Sequence, residues 1–209
     1  MALTGELLRA VAAGRETGVA RVFVPGPTLA FGRLDAREPG FAEAEAAARS
    51  HGFTPQIRHA GGRAAAYDHG SLVIELIEPS DSIADGIEAR FVALAERVRR
   101  VLADVGVATE IGELPGEFCP GRYSLHAAGR KLSGVAQRSI VGASLTTAVI
   151  AVEGGGRLRG VLVDVQRALG VAWNPETAGS ADEFVPGLTA DAVAAAAVAD
   201  NRFRTTHRR

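Results

Sequence analysis

Residues 71–77 read SLVIELI and residues 144–152 read SLTTAVIAV, two runs rich in branched apolar side chains that predict buried strands. Pro79 predicts the stop of the first run, and Glu153 with Gly154-Gly155-Gly156 the stop of the second. No Gly-Lys-Ser/Thr follows those glycines, so they read as a turn and not as a phosphate loop. Between the strands, Ile83, Ile87, Phe91, Leu94, Val98, Val101, Leu102 and Val105 recur every three or four residues. That period predicts a helix over 83–105 with one apolar face, and Ser82 with Asp85 predicts its cap. Arg90, Glu96, Arg97, Arg99 and Arg100 fall mainly off that face and read as solvated surface.

Outward from this centre, short strands are expected at 19–24 and 28–31, either side of Pro25-Gly26-Pro27. Residues 41–51 are alanine-rich, with Glu43 and Glu45 early and Gly52 just past the end, which predicts a helix. Strands at 56–57 and 63–67 bracket Gly61-Gly62, and strands at 123–127 and 130–137 flank the hairpin link Ala128-Gly129. Further helices are expected at 158–169 and 189–202, with loops at Asn174-Pro175 and Val185-Pro186-Gly187 and a frayed basic tail at 205–209. Strands and helices mix without strict alternation, which predicts an α+β fold: a mixed sheet with helices packed on one face. No composition break divides the chain, so residues 1–209 are expected to form one domain with a helical C-terminal portion at about 158–203.

The 209 residues are 47% hydrophobic and 22% charged, with 23 basic and 24 acidic side chains and a formal net charge of -1. A chain of this length buries roughly 70% of its unfolded surface and needs neither disulfide nor metal to hold a core. The charge balance offers no electrostatic footprint for nucleic acid or a membrane surface, and no apolar run is long enough to span a bilayer. One cysteine cannot form an internal disulfide, and the first 15 residues lack a signal-peptide pattern; both fit a cytoplasmic protein. The five histidines show no ligand spacing, so no metal site is expected. His69 and His126 lie nearest the segments below and read either as proton shuttles or as ordinary surface or core histidines. Trp173 reads as packing.

The chemistry concentrates in residues 116–138, GEFCPGRYSLHAAGRKLSGVAQR. Pro120 and Gly121 predict a turn beside Cys119. A lone cysteine there has two readings: a small buried hydrophobe, or a thiol presented to a cleft. Lys131 opens a strand and is either an exposed lysine or folded back on the turn, where an ammonium favours thiolate and stabilises charge on an attacked carbonyl. Gly134 and Ala136 leave space for a substrate or another backbone.

This string resembles the catalytic stretch of the lipoate-protein ligase and octanoyltransferase family, in which Gly-(Arg/Lys)-Lys-aliphatic-small-Gly-x-(Ala/Ser)-Gln-Arg carries the conserved lysine. The Phe118-Cys119-Pro120-Gly121 run resembles one branch in particular, the cysteine-dependent octanoyl-[glycine-cleavage H protein]:protein octanoyltransferases. By that resemblance Cys119 is the nucleophile, forming an acyl thioester, and Lys131 the active-site lysine. Residues 58–70, RHAGGRAAAYDHG, resemble the family's Arg-Arg-x-Gly-Gly-Gly-Ala-Val-x-x-Asp-x-Gly signature, which implies substrate contacts from Arg58, Gly61, Gly62 and Tyr67. Here His59 replaces the second arginine and Arg63 the third glycine. The resemblance runs over about 29–203, and it implies the biotin/lipoate ligase catalytic-domain fold with no room for the accessory domain of the larger ligases.

The activity so implied is transfer of an octanoyl or lipoyl group, through the Cys119 thioester, to a lysine of a lipoyl-domain carrier protein. The partners would be an acylated carrier such as the glycine-cleavage H protein and the lipoyl domains of dehydrogenase complexes, the enzyme working as a monomer without a cofactor. An alternative is an ATP- and magnesium-dependent ligase making lipoyl-AMP, with Lys131 and Arg58 on carboxylate and phosphate and Cys119 only structural. A third is a non-catalytic binder of lipoate or of a lipoyl domain.

Overall fold

The computed structural model describes residues 2–199 and Phe203. The elements run, in order, α1 (Ala2–Ala12), β1 (Val19–Phe23), β2 (Thr28–Phe31), α2 (Phe41–Ser50), β3 (Thr54–Ile57), β4 (Ala65–Tyr67), β5 (Ser71–Ser80) and α3 (Ile87–Asp104). They continue with β6 (Glu110–Ile111), β7 (Leu125–Ala127), β8 (Arg130–Ile140), β9 (Gly142–Ala151), α4 (Gly155–Ala168) and α5 (Ala190–Val198). The tail expected at 205–209 and residues 200–202 of the expected last helix lie outside the described residues.

The α+β expectation holds, but the sheet divides. Six strands pair in the order β1-β5-β9-β8-β7-β6, every pairing antiparallel. A smaller sheet, β3-β2-β4, carries the mixed character, with β2 parallel to β3 and antiparallel to β4. The SLVIELI run is unbroken because β5 is covered on both faces, where alternation would mark a half-exposed strand. Leu72, Ile74 and Leu76 point to the cluster formed with Leu94, Val98 and Val101 of α3 and Val193 of α5. Ile77 points the other way, against Leu8 and Val11 of α1. Glu75, on that second face, is matched by Arg21 at 2.9 Å and by the Thr4 hydroxyl, which donates to it at 2.9 Å.

Four expectations are corrected. Helices cover both faces of the large sheet, because α1, which the sequence reading left unassigned, packs opposite α3. Pro79 does not stop β5; β1 starts at Val19 opposite Ile77, so the residues of β5 beyond Ile77 have β9 alone beside them, and an open edge tolerates a proline. The long helix begins at Ile87, after Gly86 at φ +69°, while the Ser82 hydroxyl accepts from the amides of Ala84 and Asp85 at 3.2 Å in a separate turn before it. The three glycines form the entry to α4 and not a free-standing turn: Gly154 sits at φ +74° and a Cβ on Gly155 would lie 2.6 Å from Ser180 Oγ.

The second cluster joins α2 and α4 to the small sheet through Leu29, Phe31, Ala44, Phe53, Leu158 and Leu162. The β7–β8 hairpin is closed by Ala128 and Gly129 at φ +44° and +75°, a two-residue link of the kind that matches strand twist. Together these pieces bring the start of β8 against the 116–124 turn. Replacing Ile74, 0% exposed, by Ala should lower unfolding stability by about 2–5 kcal/mol in urea titrations. Val141→Ala, at a hairpin tip that is 81% exposed, should change it by no more than about 0.5 kcal/mol.

Candidate active site

Cys119 sits half-buried with φ +44°, a left-handed backbone that costs a non-glycine residue roughly 1–2 kcal/mol. The surroundings hold it there. Lys131 Nζ, from the second residue of strand β8, donates to the carbonyl oxygens of Phe118 at 3.0 Å and of Cys119 at 2.7 Å. The same ammonium lies 3.3 Å from Glu117 Oε1 and 4.9 Å from the Phe118 ring centre. Glu117 Oε1 also accepts from the Gly121 amide at 2.9 Å and the Ser124 hydroxyl at 2.7 Å, so one carboxylate oxygen ties both limbs of the turn together. Phe118 is propped edge-on against Trp173, which is a packing residue as expected.

The sulfur itself receives two donors from the 58–70 segment. Arg58 Nη2 donates to Cys119 Sγ at 3.1 Å and the Arg63 amide at 3.3 Å. Arg58 is fixed in turn on the Arg63 carbonyl at 2.5 Å. Gly62, at φ +104°, makes room for this: a Cβ there would stand 2.2 Å from Arg58 Nη2 and 2.8 Å from the sulfur. Arg63 turns its side chain away, onto Asp35 at 3.0 Å and Glu38 at 2.8 Å, and those carboxylates raise its pKa. Only its main chain faces the thiol, so this position serves the site as a glycine would.

A cavity of about 370 Å³ opens beside Cys119 and Lys131. Arg58, Gly61, Gly62, Gly134 and Ala136 line it, with an apolar wall from Val149, Leu158 and Leu162. A Cβ on Gly134 would approach Lys131 Cε to 3.4 Å and Nζ to 3.7 Å, so the missing side chain keeps the lysine's flank open. Burial lowers the Lys131 pKa; Cys119 and Glu117 oppose the shift and Arg58 adds to it. Tyr67 lines a second cavity of about 310 Å³, which shares Arg58, Thr147 and Val149 with the first. Its hydroxyl is pushed up to about 12, mainly by burial, with Arg58 opposing and Glu75 adding. His69 and His126 are not among the residues lining either cavity, and His59 lines the second.

The profile described as the Lipoyl protein ligase A/B catalytic domain matches residues 1–199. The chain belongs to this family. Among curated lipoyl protein ligase relatives, the octanoyl-[GcvH]:protein N-octanoyltransferase of Geobacillus kaustophilus is 33% identical over 162 residues, 78% of this chain and 57% of the relative. The protein of the same name from Exiguobacterium sibiricum is 36% identical over 148 residues, 71% of this chain and 54% of that one. The chain thus spans a little over half the length of the curated relatives it matches. A crystal structure of lipoate-protein ligase A bound with ATP superposes with a TM-score of 0.67 at 22% identity, over 92% of this chain and 76% of the other, which supports the fold.

Within this lipoyl protein ligase A/B domain, two contributors escaped the sequence reading. Glu117 lies inside the quoted motif, yet nothing in its type announces a buried acid; its side chain is 0% exposed. Asp35, 0% exposed, accepts from the Gly32 amide at 2.8 Å and holds Arg63, and its only signal was a lone acid after a short strand. Among the described residues no group of three or more His, Cys, Asp or Glu is placed to hold a metal ion, and no helix is long and apolar enough to cross a membrane. Arg58→Met withdraws a charge-assisted hydrogen bond from the sulfur, worth about 1.5 kcal/mol, and should slow iodoacetamide alkylation of Cys119 at neutral pH about tenfold. Intact mass against time measures it; an unchanged rate would mean that the contact does not activate the thiol.

Proposed function

We propose that this chain carries an octanoyl or lipoyl group as a thioester on Cys119 and passes it to a lysine of a lipoyl-domain carrier protein. The observation that carries the reading is the sulfur of a lone cysteine at a cavity wall, receiving hydrogen bonds from Arg58 and from the Arg63 amide. Hydrogen-bond donors converging on a sulfur favour its anionic form, which is the nucleophile. The thiolate attacks the carbonyl carbon of the acylated donor, the C–N bond breaks, the donor's nitrogen leaves as an amine with a proton taken from water, and the acyl group stays on sulfur. The acceptor lysine's neutral amine then attacks the thioester carbonyl, the C–S bond breaks, the amine's proton passes to water, and the thiolate returns. Two acyl transfers through sulfur replace one direct amide exchange.

Lys131 holds the turn and places a positive charge beside the reacting carbon, where negative charge grows on the carbonyl oxygen. Arg58, Gly61, Gly62, Gly134 and Ala136 shape the cavity for the acyl chain and the incoming amine, and Tyr67 contributes from the adjoining cavity. The names of the relatives, octanoyl-[GcvH]:protein N-octanoyltransferase, support the glycine-cleavage H protein as one carrier; lipoyl domains of dehydrogenase complexes are the other carriers in this reading. No cofactor is needed in this scheme.

Incubation with octanoylated H protein should give a hydroxylamine-labile octanoyl adduct by intact mass, absent in Cys119→Ser, and transfer to an added lipoyl domain should fall by at least about a hundredfold in that variant. Lipoate-dependent ATP–pyrophosphate exchange that survives Cys119→Ser would support the ATP- and magnesium-dependent ligase instead. Saturable lipoate binding without turnover would support a binder.

A further inference from the structure

Lys131 is the only lysine among the 23 lysine and arginine side chains of the sequence. Arginine stays protonated and does not take an acyl group, so a thioester on this protein meets no other lysine of its own chain. The one lysine it does have is tied to the carbonyl of Cys119 itself. Uncharged, that amine would be dangerous. Nζ would add to the thioester carbonyl carbon, the C–S bond would break, and the nitrogen's proton would pass to the sulfur. The product is a stable amide on Lys131 and a site that no longer turns over.

Burial acts most strongly on the Lys131 amine, and three titratable groups around it, Cys119, Glu117 and Arg58, act beside it. Burial and Arg58 favour the neutral amine; Cys119 and Glu117 favour the ion. A sulfur that carries an acyl group is a neutral thioester. Glu117 is then the remaining anion among these groups. Its side chain is 0% exposed, its Oε1 is 3.3 Å from Nζ, and its Oε2 is buried with no hydrogen-bond partner among the described residues. A carboxylate so placed has the lysine as its compensating charge. The geometry also suits an ion, because an ammonium has three donors and Nζ faces three acceptors: the carbonyls of Phe118 and Cys119, and Glu117.

We propose that Glu117 is a positioning residue that holds Lys131 as an ammonium ion while Cys119 carries its acyl group, and so keeps the protein from acylating its own lysine. The inference rests on the thioester reading above. To test it, the full chain is treated with p-nitrophenyl octanoate as wild type, Glu117→Gln, Glu117→Asp and Glu117→Gln with Lys131→Arg, each checked for folding by circular dichroism. Hydroxylamine then strips thioesters, and the adduct left behind is located by peptide mass.

Wild type should carry the labile adduct on Cys119 and little that resists. Glu117→Gln should accumulate a resistant octanoyl group on Lys131 faster by about tenfold for each pH unit that the lysine's midpoint falls. Glu117→Asp, which keeps the charge, should stay nearer wild type, and the double variant should lose the resistant adduct. Should Glu117→Gln not fold, the wild-type acyl-enzyme across a rising pH series reads the same reaction, the resistant fraction growing about tenfold per unit. A labile adduct with no gain in resistant product, in the variant or across the pH series, overturns the inference alone. Absence of any labile adduct in wild type overturns the thioester reading and this inference with it.

Discussion

A buried lysine has to be given partners, and the arrangement of this site follows from how Lys131 gets them. It is 4% exposed, and an ammonium at that depth is tolerated only if its donors are met and its charge is balanced. The 117–119 turn supplies all of this: two main-chain carbonyls and one carboxylate. Meeting that demand bends the turn tightly enough to put Cys119 at φ +44°, and the bend is what aims the sulfur at Arg58 and the Arg63 amide. Charge satisfaction at one residue thereby sets the direction of another residue's side chain.

The two sheets divide the labour. The large antiparallel sheet is packed on both faces and provides a stiff base, with Lys131 at the inner end of β8. The small sheet, braced by α2 and α4, carries the 58–63 segment to the other side of the sulfur. Neither segment is a site alone. Arg58 lines both cavities, so the residue that donates to the sulfur is shared between them. The Asp35–Arg63–Glu38 pairs anchor the segment from outside and leave its amide facing inward.

Much of the fold was legible in local pattern. The SLVIELI and SLTTAVIAV runs are neighbouring central strands in full register, Ser71 opposite Ala151 through Ser80 opposite Gly142. The amphipathic period at 87–104 is a helix, and Ala128-Gly129 is a hairpin link. What failed was what depends on neighbours. Pro79 looks like a terminator, yet β1 reaches only as far as Ile77 and leaves that edge of β5 open. The helix α1 has few signals of its own, because Thr4 and Gly5 are buried through contacts with Glu75 and His59 and not through an apolar stripe.

The same division holds at the site. By itself, the sequence determined which chemistry was on offer: one thiol, one lysine, and glycines where a backbone must come close, because residue type and short-range spacing carry that information. It also determined the family, since a 23-residue motif is a local object. Tertiary structure alone decided that Arg63 gives its amide and withholds its guanidinium, that Tyr67 belongs to the adjoining cavity, and that Glu117 is buried against Lys131. The reason is physical: the state of a charged side chain is set by what surrounds it in space, and those neighbours come from segments that are distant along the chain.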